Sequence, residues 1–145
     1  MPSPTYRLKP IGQIRKEGDL VLVEVETPYL PALLGLEQYS HVWVLFWFHE
    51  HDNPRDRSIL QVHPCRNPAN PLTGVFAARS PVRPNLIGLS AVRLLRVEGR
   101  RVILAGLDAR DGTPVLDIKP YLPGSDAINE ATAPELLPKV EDNQG

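Results

Sequence analysis

The chain has 145 residues, and its 16 lysines and arginines against 17 aspartates and glutamates give a formal net charge of −1. This length fits one domain with a core of its own, and the single cysteine, Cys65, excludes an internal disulfide bond and suits a reducing cytosol. No signal peptide is recognisable at the start and no apolar run approaches a membrane span, so we expect a cytoplasmic protein that does not enter the membrane.

The positive charge is concentrated in the middle of the chain. Residues 55–110 contain ten arginines against three acidic residues, Asp56, Glu98 and Asp108. A stripe of arginines is typical of a surface that binds phosphate or RNA. The alternative is that several of these arginines simply alternate outward on strands, and charge alone leaves both explanations open.

The first third of the chain predicts a loose arm, a hairpin and a short helix. Residues 1–10 are rich in proline and lack periodicity, which indicates a flexible arm. Residues 11–14 and 19–26 alternate between apolar and polar, so we expect two strands joined by a tight turn. After Pro28, leucines at helical spacing predict a short helix within residues 30–38.

Residues 42–48 form a continuous aromatic and β-branched run, which predicts a central strand buried on both faces. The run ends in His49, Glu50 and His51, and we expect such titratable residues at a rim where a cleft can form. The stretch that follows is broken by prolines and is typical of a loop, with one strand expected at residues 58–63.

Residues 74–90 combine apolar ends with a centre of arginines and prolines. The first part, residues 75–78, is apolar and strand-like. Arg79 and Arg83 follow among prolines that fix φ and remove backbone donors, which predicts a rigid loop carrying two guanidinium groups. A solvated surface turn is the alternative.

The last third alternates again. Residues 91–98 and 101–107 predict a second hairpin about Gly99. Residues 111–114 predict a sharp turn before a short strand at residues 115–118.

Many short strands, few helical periods and frequent turns indicate an all-β fold. We expect a single-sheet antiparallel β-barrel with one short helix and a short C-terminal tail, because closure removes the strand edges; a sandwich is the alternative. The expected parts are a flexible N-terminal arm (residues 1–10), the barrel domain (residues 11–126) and a docked or frayed tail (residues 127–145).

The sequence has no phosphate loop, nucleophile elbow or paired-carboxylate signature. His49 and His51, like His63 and Cys65, have the spacing that zinc would need if each pair lay on one face of a strand. Nothing beyond this spacing supports a metal, and none is expected.

Asp117 and Lys119 are two residues apart, so their side chains are expected to point the same way. They form an ion pair, or Asp117 orients Lys119 or Arg79 for a ligand. Both explanations stay open at this point.

Three motifs, in this order, resemble one family. They are Ser-His-Val-Trp-Val-Leu-Phe-Trp-Phe-His at residues 40–49, Gly-Val-Phe-Ala-Ala-Arg-Ser-Pro-Val-Arg-Pro-Asn-Leu-Ile-Gly-Leu-Ser at residues 74–90, and Asp-Gly-Thr-Pro-Val-Leu-Asp-Ile-Lys-Pro-Tyr-Leu-Pro at residues 111–123. Over residues 11–126 the chain resembles the TrmO family, also called TsaA-like or YaeB-like. The resemblance implies a β-barrel that forms a homodimer and binds S-adenosylmethionine near the dimer interface. It also implies methylation of threonylcarbamoyl-modified adenosine beside the anticodon of tRNA.

The resemblance further implies roles for single residues. The family's cofactor-binding positions are matched by His49, Glu50, Arg79, Leu89, Asp111, Gly112, Thr113 and Pro114. Positions suited to the RNA substrate or to shaping the pocket are matched by Arg83, Asn85, Asp117, Lys119 and Tyr121. The acceptor nitrogen bears a carbonyl substituent and loses its proton readily, so the candidate catalytic bases are Asp117, Glu50 and His49. We expect Arg79 to pair with the cofactor carboxylate or an RNA phosphate.

Two departures from the family pattern keep other functions open. The family usually has a longer segment after the first strand, whereas here Ile14 passes to Asp19 almost directly, and Leu86 stands where the family usually has proline. These departures favour a barrel that binds S-adenosylmethionine as a non-catalytic or regulatory protein. The arginine-rich middle favours a tRNA methyltransferase, and a methyltransferase acting on a small molecule is the third alternative.

Overall fold

The computed structural model of the protein describes residues 2–140, which divide into two compact units. The first, here called the barrel unit, is the chain up to Trp47 together with Leu89–Asp126. The second, the loop unit, is Phe48–Gly88 together with the chain that follows Asp126. The boundaries expected from the sequence stay a prediction, and the parts of the expected arm and tail at residues 1 and 141–145 lie outside the described residues.

Six strands close into an antiparallel barrel, as predicted. Their order around the barrel is β1-β2-β7-β6-β3-β8, and a separate small sheet pairs β4 with β5. The strands are β1 Gly12–Glu17, β2 Leu20–Val25, β3 His41–Trp47, β4 Gln61–Val62, β5 Thr73–Gly74, β6 Ile87–Glu98, β7 Arg101–Leu104 and β8 Pro114–Pro120. Closure gives each of the six barrel strands a neighbour on both sides, so none of them is an open edge.

Both predicted hairpins are confirmed. β1 and β2 pair antiparallel from Gly12 opposite Val25 up to their tight turn, and β6 and β7 pair antiparallel next to theirs. Gly18 and Gly99 in these turns have φ of 61° and 58°. This left-handed backbone is strained for residues with a Cβ, which explains why each turn contains glycine.

β3 places one face in the barrel core and the other outside. Val42, Val44 and Phe46 are buried, whereas the residues between them are half-buried. The prediction of a strand buried on both faces was wrong, because a barrel strand turns every second side chain away from the interior. Of the aromatic side chains that suggested burial on both sides, Phe46 lies in the core and Trp43 and Trp47 lie on the outer face.

The short helix predicted within residues 30–38 is of the 3-10 type. Two segments, Thr27–Leu33 and Leu36–Gln38, occupy this stretch. Pro31 lies inside the first segment and has no amide to donate, which disfavours the regular hydrogen bonds of an α-helix.

The α-helices are single turns. They are α1 Pro54–Arg57 in the loop unit and α2 Pro123–Asp126 at the end of the barrel unit. Pro54 takes the first helical position, where its missing amide costs nothing. Within residues 2–140, no helix has the length and apolar character needed to cross a membrane.

The loop unit contains less strand than the sequence predicts. Of the strand expected at residues 58–63, only β4 forms, paired antiparallel with β5. The strand-like residues 75–78 instead contain a 3-10 turn, Val75–Ala77, so that prediction was wrong. Val75 is buried and its amide donates to the carbonyl of Leu60 at 2.9 Å. One apolar side chain thus anchors a turn where an apolar run suggested a strand.

Asp126 at the end of α2 holds the indole of Trp43. Its Oδ2 accepts from the Leu122 amide at 2.8 Å and from Trp43 Nε1 at 2.9 Å. These two bonds, first that from Leu122, lower the pKa of Asp126 from its ordinary value. A carboxyl whose pKa is lowered in the folded state stabilises the fold above its unfolded pKa, and this contribution is lost as pH falls through the folded value.

We therefore expect the surroundings of Trp43 to loosen in acid, below about pH 4. The indole N–H resonance of Trp43, followed by NMR between pH 5 and pH 2, measures this loosening. Asp126→Asn removes the titrating group, so its resonance is expected to vary less over the same range. Identical pH profiles for the two proteins would contradict the assignment.

Candidate functional site

The turn before β8, implied as a cofactor contact, is tied to β1 within the barrel unit. Asp111 Oδ1 accepts from the Lys16 amide at 2.8 Å. The Gly112 amide donates to the carbonyl of Ile14 at 2.7 Å, and the Ile14 amide donates to the carbonyl of Thr113 at 2.9 Å. Thr113 is buried. The backbone of this turn is therefore fixed, and one oxygen of Asp111 is already engaged.

Asp117 and Lys119 form an ion pair on the outer face of β8. Lys119 Nζ is 3.2 Å from Asp117 Oδ2, and their side chains are 62% and 48% exposed. The ion-pair interpretation of this spacing is confirmed. Because both groups are largely solvated, the pair contributes little to stability and its members remain accessible.

Tyr121 follows β8 and packs with two rings from β3. Its ring centroid is 5.6 Å from that of Trp43 and 6.2 Å from that of His41. Tilted ring pairs at these distances are favourable, so the three side chains form one aromatic group. The local sequence pattern gives no sign that His41 and Trp43 are neighbours of Tyr121. Their proximity follows from the antiparallel pairing of β3 with β8, in which Trp43 lies opposite Lys119, two residues before Tyr121.

His49 and Glu50 are exposed and lie on one 3-10 turn that follows β3. The next residue, His51, has its Nδ1 2.9 Å from Asp56 Oδ2 in α1. Asn53 Nδ2 donates to the same oxygen at 3.2 Å. These bonds, first that with His51, lower the pKa of Asp56 from its ordinary value. His49 and Glu50 are thus exposed on this turn, and His51 contacts α1.

The His49/His51 and His63/Cys65 pairs would each lie on one face only if they were on strands, and neither pair is on a strand. His49 and His51 share a 3-10 turn, and His63 Nδ1 lies 2.8 Å from the carbonyl oxygen of Asn70. Cys65 lies in a second turn with φ of 60°. Within residues 2–140, no three His, Cys, Asp or Glu side chains are grouped as metal ligands would be.

The arginine loop, residues 79–86, is held by side-chain donors. Arg83 Nη1 donates to the carbonyls of Ala78 and Ser80 at 3.1 Å each. Arg57 Nε donates to the carbonyl of Pro84 at 3.0 Å. As predicted, the segment is an irregular loop, and guanidinium groups hold its backbone in place.

Arg79 differs from Arg83 in having its charge available. Its side chain is exposed, and among the described residues no hydrogen bond or ion pair to its guanidinium is found. A guanidinium presents several donors in a planar fork that matches a carboxylate or a phosphate. Arg79 can therefore bind an anionic group of a ligand. Arg83, in contrast, already donates hydrogen bonds to the backbone of its own loop.

Leu86, which stands where the family usually has proline, has a packing role. Its side chain is fully buried, and its carbonyl accepts from the Phe48 amide at 2.8 Å within the loop unit. A leucine at this position thus fills the core of the unit. The departure concerns packing rather than a group that would contact a ligand.

Part of the arginine-rich middle is neutralised by acids. The ion pairs found among the described residues include Arg57 with Asp52 at 3.3 Å, Arg96 with Glu98, Arg100 with Glu24 at 3.8 Å and Arg101 with Glu17 at 2.5 Å. Three of these acids lie outside residues 55–110, so the charge of that stretch taken alone does not include them. The positive charge left for an RNA partner is therefore smaller than the sequence count suggests.

The predicted site residues fall into two sets, one in each unit. The barrel unit carries Leu89, Asp111, Gly112, Thr113, Pro114, Asp117, Lys119 and Tyr121. The loop unit carries His49, Glu50, Arg79, Arg83 and Asn85. In the first set Asp117 contacts Lys119, and Leu89 on β6 is 38% exposed. In the second set Asn85 is exposed and lies in the arginine loop with Arg79 and Arg83.

Comparison with known proteins identifies the family. The model of the tRNA-methyltransferase O N-terminal domain, TrmO_N, matches residues 9–127. The chain therefore belongs to this family, as the three sequence motifs predicted.

Curated relatives and a solved structure agree with this assignment. A probable S-adenosyl-L-methionine-binding protein of Pyrococcus horikoshii is 44% identical over 119 residues, which are 82% of this chain and 85% of that protein. The human tRNA (adenine(37)-N6)-methyltransferase is 45% identical over 113 residues, 78% of this chain but 25% of that protein. A crystal structure of TrmO from Pseudomonas aeruginosa matches with a TM-score of 0.69 and 39% identity, covering 89% of this chain and 62% of that one. The chain thus spans most of the archaeal relative, but under two thirds of the bacterial structure.

Proposed function

We propose that this protein is an S-adenosylmethionine-dependent methyltransferase that acts on tRNA. The observation that carries the proposal is the family match over residues 9–127, which includes every predicted site residue. The human relative is named a tRNA methyltransferase acting on N6 of adenine 37, and the archaeal relative an S-adenosyl-L-methionine-binding protein. We further propose the threonylcarbamoyl-modified adenosine beside the anticodon as the acceptor, which follows from the family resemblance.

The proposed cofactor contacts are the residues that the family resemblance implies. They are His49, Glu50, Arg79, Leu89, Asp111, Gly112, Thr113 and Pro114. Two features of the structure support them: the guanidinium of Arg79 is exposed, and the backbone of the turn before β8 is fixed by bonds to β1. A guanidinium suits the carboxylate of S-adenosylmethionine, and a fixed turn gives it preorganised backbone groups.

When bound, S-adenosylmethionine supplies a methyl carbon that leaves its sulfonium sulfur as the acceptor nitrogen forms the new C–N bond. The protein's main contribution to such a displacement is to align the two reactants. The nitrogen must also release a proton, and the proposed acceptors are Asp117, Glu50 and His49. Asp117 also lies within ion-pair distance of Lys119. Arg83, Asn85, Lys119 and Tyr121 are proposed contacts of the tRNA.

We also propose a cytoplasmic homodimer with the cofactor near the dimer interface. The outer surface of β6 supports a self-association surface, because Leu89 and Leu95 are 38% and 48% exposed there. Sedimentation velocity measures the assembly state directly. A monomer at all concentrations would contradict this part of the proposal.

The alternative is a barrel that binds S-adenosylmethionine without transferring its methyl group to RNA. The names of two archaeal relatives as binding proteins favour it, as does the partial neutralisation of the arginines. Calorimetric titration with S-adenosylmethionine, followed by transfer of labelled methyl to bulk tRNA, separates the two. Binding with transfer supports the methyltransferase, binding without transfer to tRNA supports the alternative, and no binding contradicts both.

A further inference from the structure

Asn70 is a buried amide in the loop unit that bonds to the C-terminal tail. The residue is 3% exposed. Its Nδ2 donates to the carbonyl of Leu137 at 3.0 Å and to that of Pro64 at 2.8 Å, while its Oδ1 accepts from the Leu137 amide at 2.8 Å. One side-chain amide thus meets both backbone groups of Leu137, as an adjacent strand would.

Asn67 adds another contact to the backbone of the tail. Its Nδ2 donates to the carbonyl of Pro138 at 2.9 Å, and its Oδ1 accepts from the Ala69 amide at 2.9 Å. The side chain of Leu137, in contrast, is 50% exposed. The tail is therefore held through its backbone, and Pro138 favours the extended conformation of the residue before it.

The segment that holds the tail is itself in an uncommon conformation. Cys65 and Arg66 are consecutive residues with φ of 60° and 52°. Left-handed backbone is unfavourable for a residue with a Cβ. Such residues persist where the surroundings fix them, and His63 Nδ1 lies 2.8 Å from the Asn70 carbonyl oxygen in this segment. The surrounding contacts thus hold Cys65 and Arg66 in an unfavourable backbone conformation.

We propose that residues 64–70 form a recognition loop for an extended peptide backbone, and that its occupant is residues 136–138 of this chain. The recognition loop lies between β4 and β5, and the arginine loop follows β5 after one 3-10 turn. This proposal does not depend on the methyltransferase activity.

Substitutions at Leu137 test whether the tail is held through its backbone hydrogen bonds to Asn70. Leu137→Pro removes the amide that bonds to Asn70 and leaves the bond between Asn70 and Pro64 in place, whereas Leu137→Ala keeps the amide. Trypsin cleavage after Lys139 reports release of the tail, because a docked segment must open before it is cut. Free peptides with the same substitutions correct for intrinsic differences in cleavage.

We expect cleavage after Lys139 to be about fivefold faster or more in Leu137→Pro, because the hydrogen bond from the Leu137 amide to Asn70 is lost. Leu137→Ala is expected to stay within about twofold of the wild type, because the bonds are to backbone. Asn70→Ala is expected to resemble Leu137→Pro, and circular dichroism checks that each variant folds. Equal corrected rates for all the proteins would overturn the proposal.

A second measurement remains informative if Asn70→Ala does not fold. A fluorescent peptide with the sequence of residues 133–140 is added to full-length Leu137→Pro, whose own tail is released, and binding is followed by anisotropy. Binding of this peptide, together with no binding of a peptide carrying proline at position 137, is the expected result. Failure of the first peptide to bind to the released protein would overturn the recognition loop.

Discussion

Gly12→Ala is expected to destabilise the barrel by about 3 kcal/mol or more in the free energy of unfolding, or to prevent folding. A Cβ at Gly12 would lie 2.2 Å from the carbonyl oxygen of Glu24 and 3.0 Å from Val25 Cα. These are backbone atoms of β2, so no side-chain rotation relieves the collision. Gly12 also lies opposite Val115 of β8, where β1 meets the strand that closes the barrel. Displacing it therefore disturbs two strand pairs.

Gly106→Ala is the matched control, because a Cβ there would meet no heavy atom within 4 Å. Its effect on the free energy of unfolding is expected to stay within about 0.5 kcal/mol. Urea unfolding followed by circular dichroism measures both variants. A loss of under about 1 kcal/mol for Gly12→Ala would contradict the close approach of β1 and β2.

Arg79→Ala is expected to weaken the binding of S-adenosylmethionine about 10- to 100-fold, because hydrogen bonds to charged groups contribute about 1.5–3 kcal/mol. The Tm of the protein is expected to change little, since the side chain is exposed and its guanidinium makes no hydrogen bond or ion pair among the described residues. Arg79→Lys keeps the charge but not the planar fork, so an intermediate affinity is expected. Calorimetric titration and thermal unfolding provide the two measurements.

Two other arginines serve as controls for Arg79. Arg93→Ala removes one exposed positive charge from β6 and is expected to leave the affinity for S-adenosylmethionine unchanged. Arg83→Ala removes the bonds to Ala78 and Ser80, so it is expected to lower stability as well as affinity. If Arg79→Ala and Arg93→Ala bind equally well, Arg79 does not hold the cofactor.

Local patterns in the sequence were sufficient for much of the barrel. The two hairpins follow from alternation on either side of glycine turns, and β8 follows from the turn at residues 111–114. The outer face of β3 was mistaken for a second buried face because Trp43 and Trp47 are apolar. Their half-burial depends on neighbours such as Tyr121, which are far away in the sequence.

The loop unit was harder to predict because its contacts are non-local. The apolar run at residues 75–78 resembles a strand, but it forms a 3-10 turn at Val75–Ala77, and the amide of Val75 bonds to the distant Leu60. The role of Asn70 depends on a tail residue 67 positions away. The motifs predicted the family correctly, and the roles of single site residues stay predictions.

The most direct test of the proposed function uses two matched tRNA preparations, one with and one without the threonylcarbamoyl modification. Each is incubated with the protein and labelled S-adenosylmethionine, and the nucleosides are then separated. We predict label on the threonylcarbamoyl-adenosine of the modified tRNA and none in the unmodified tRNA. Absence of label from both, with folded protein that binds S-adenosylmethionine, would contradict the tRNA methyltransferase and leave the binding protein or a small-molecule acceptor.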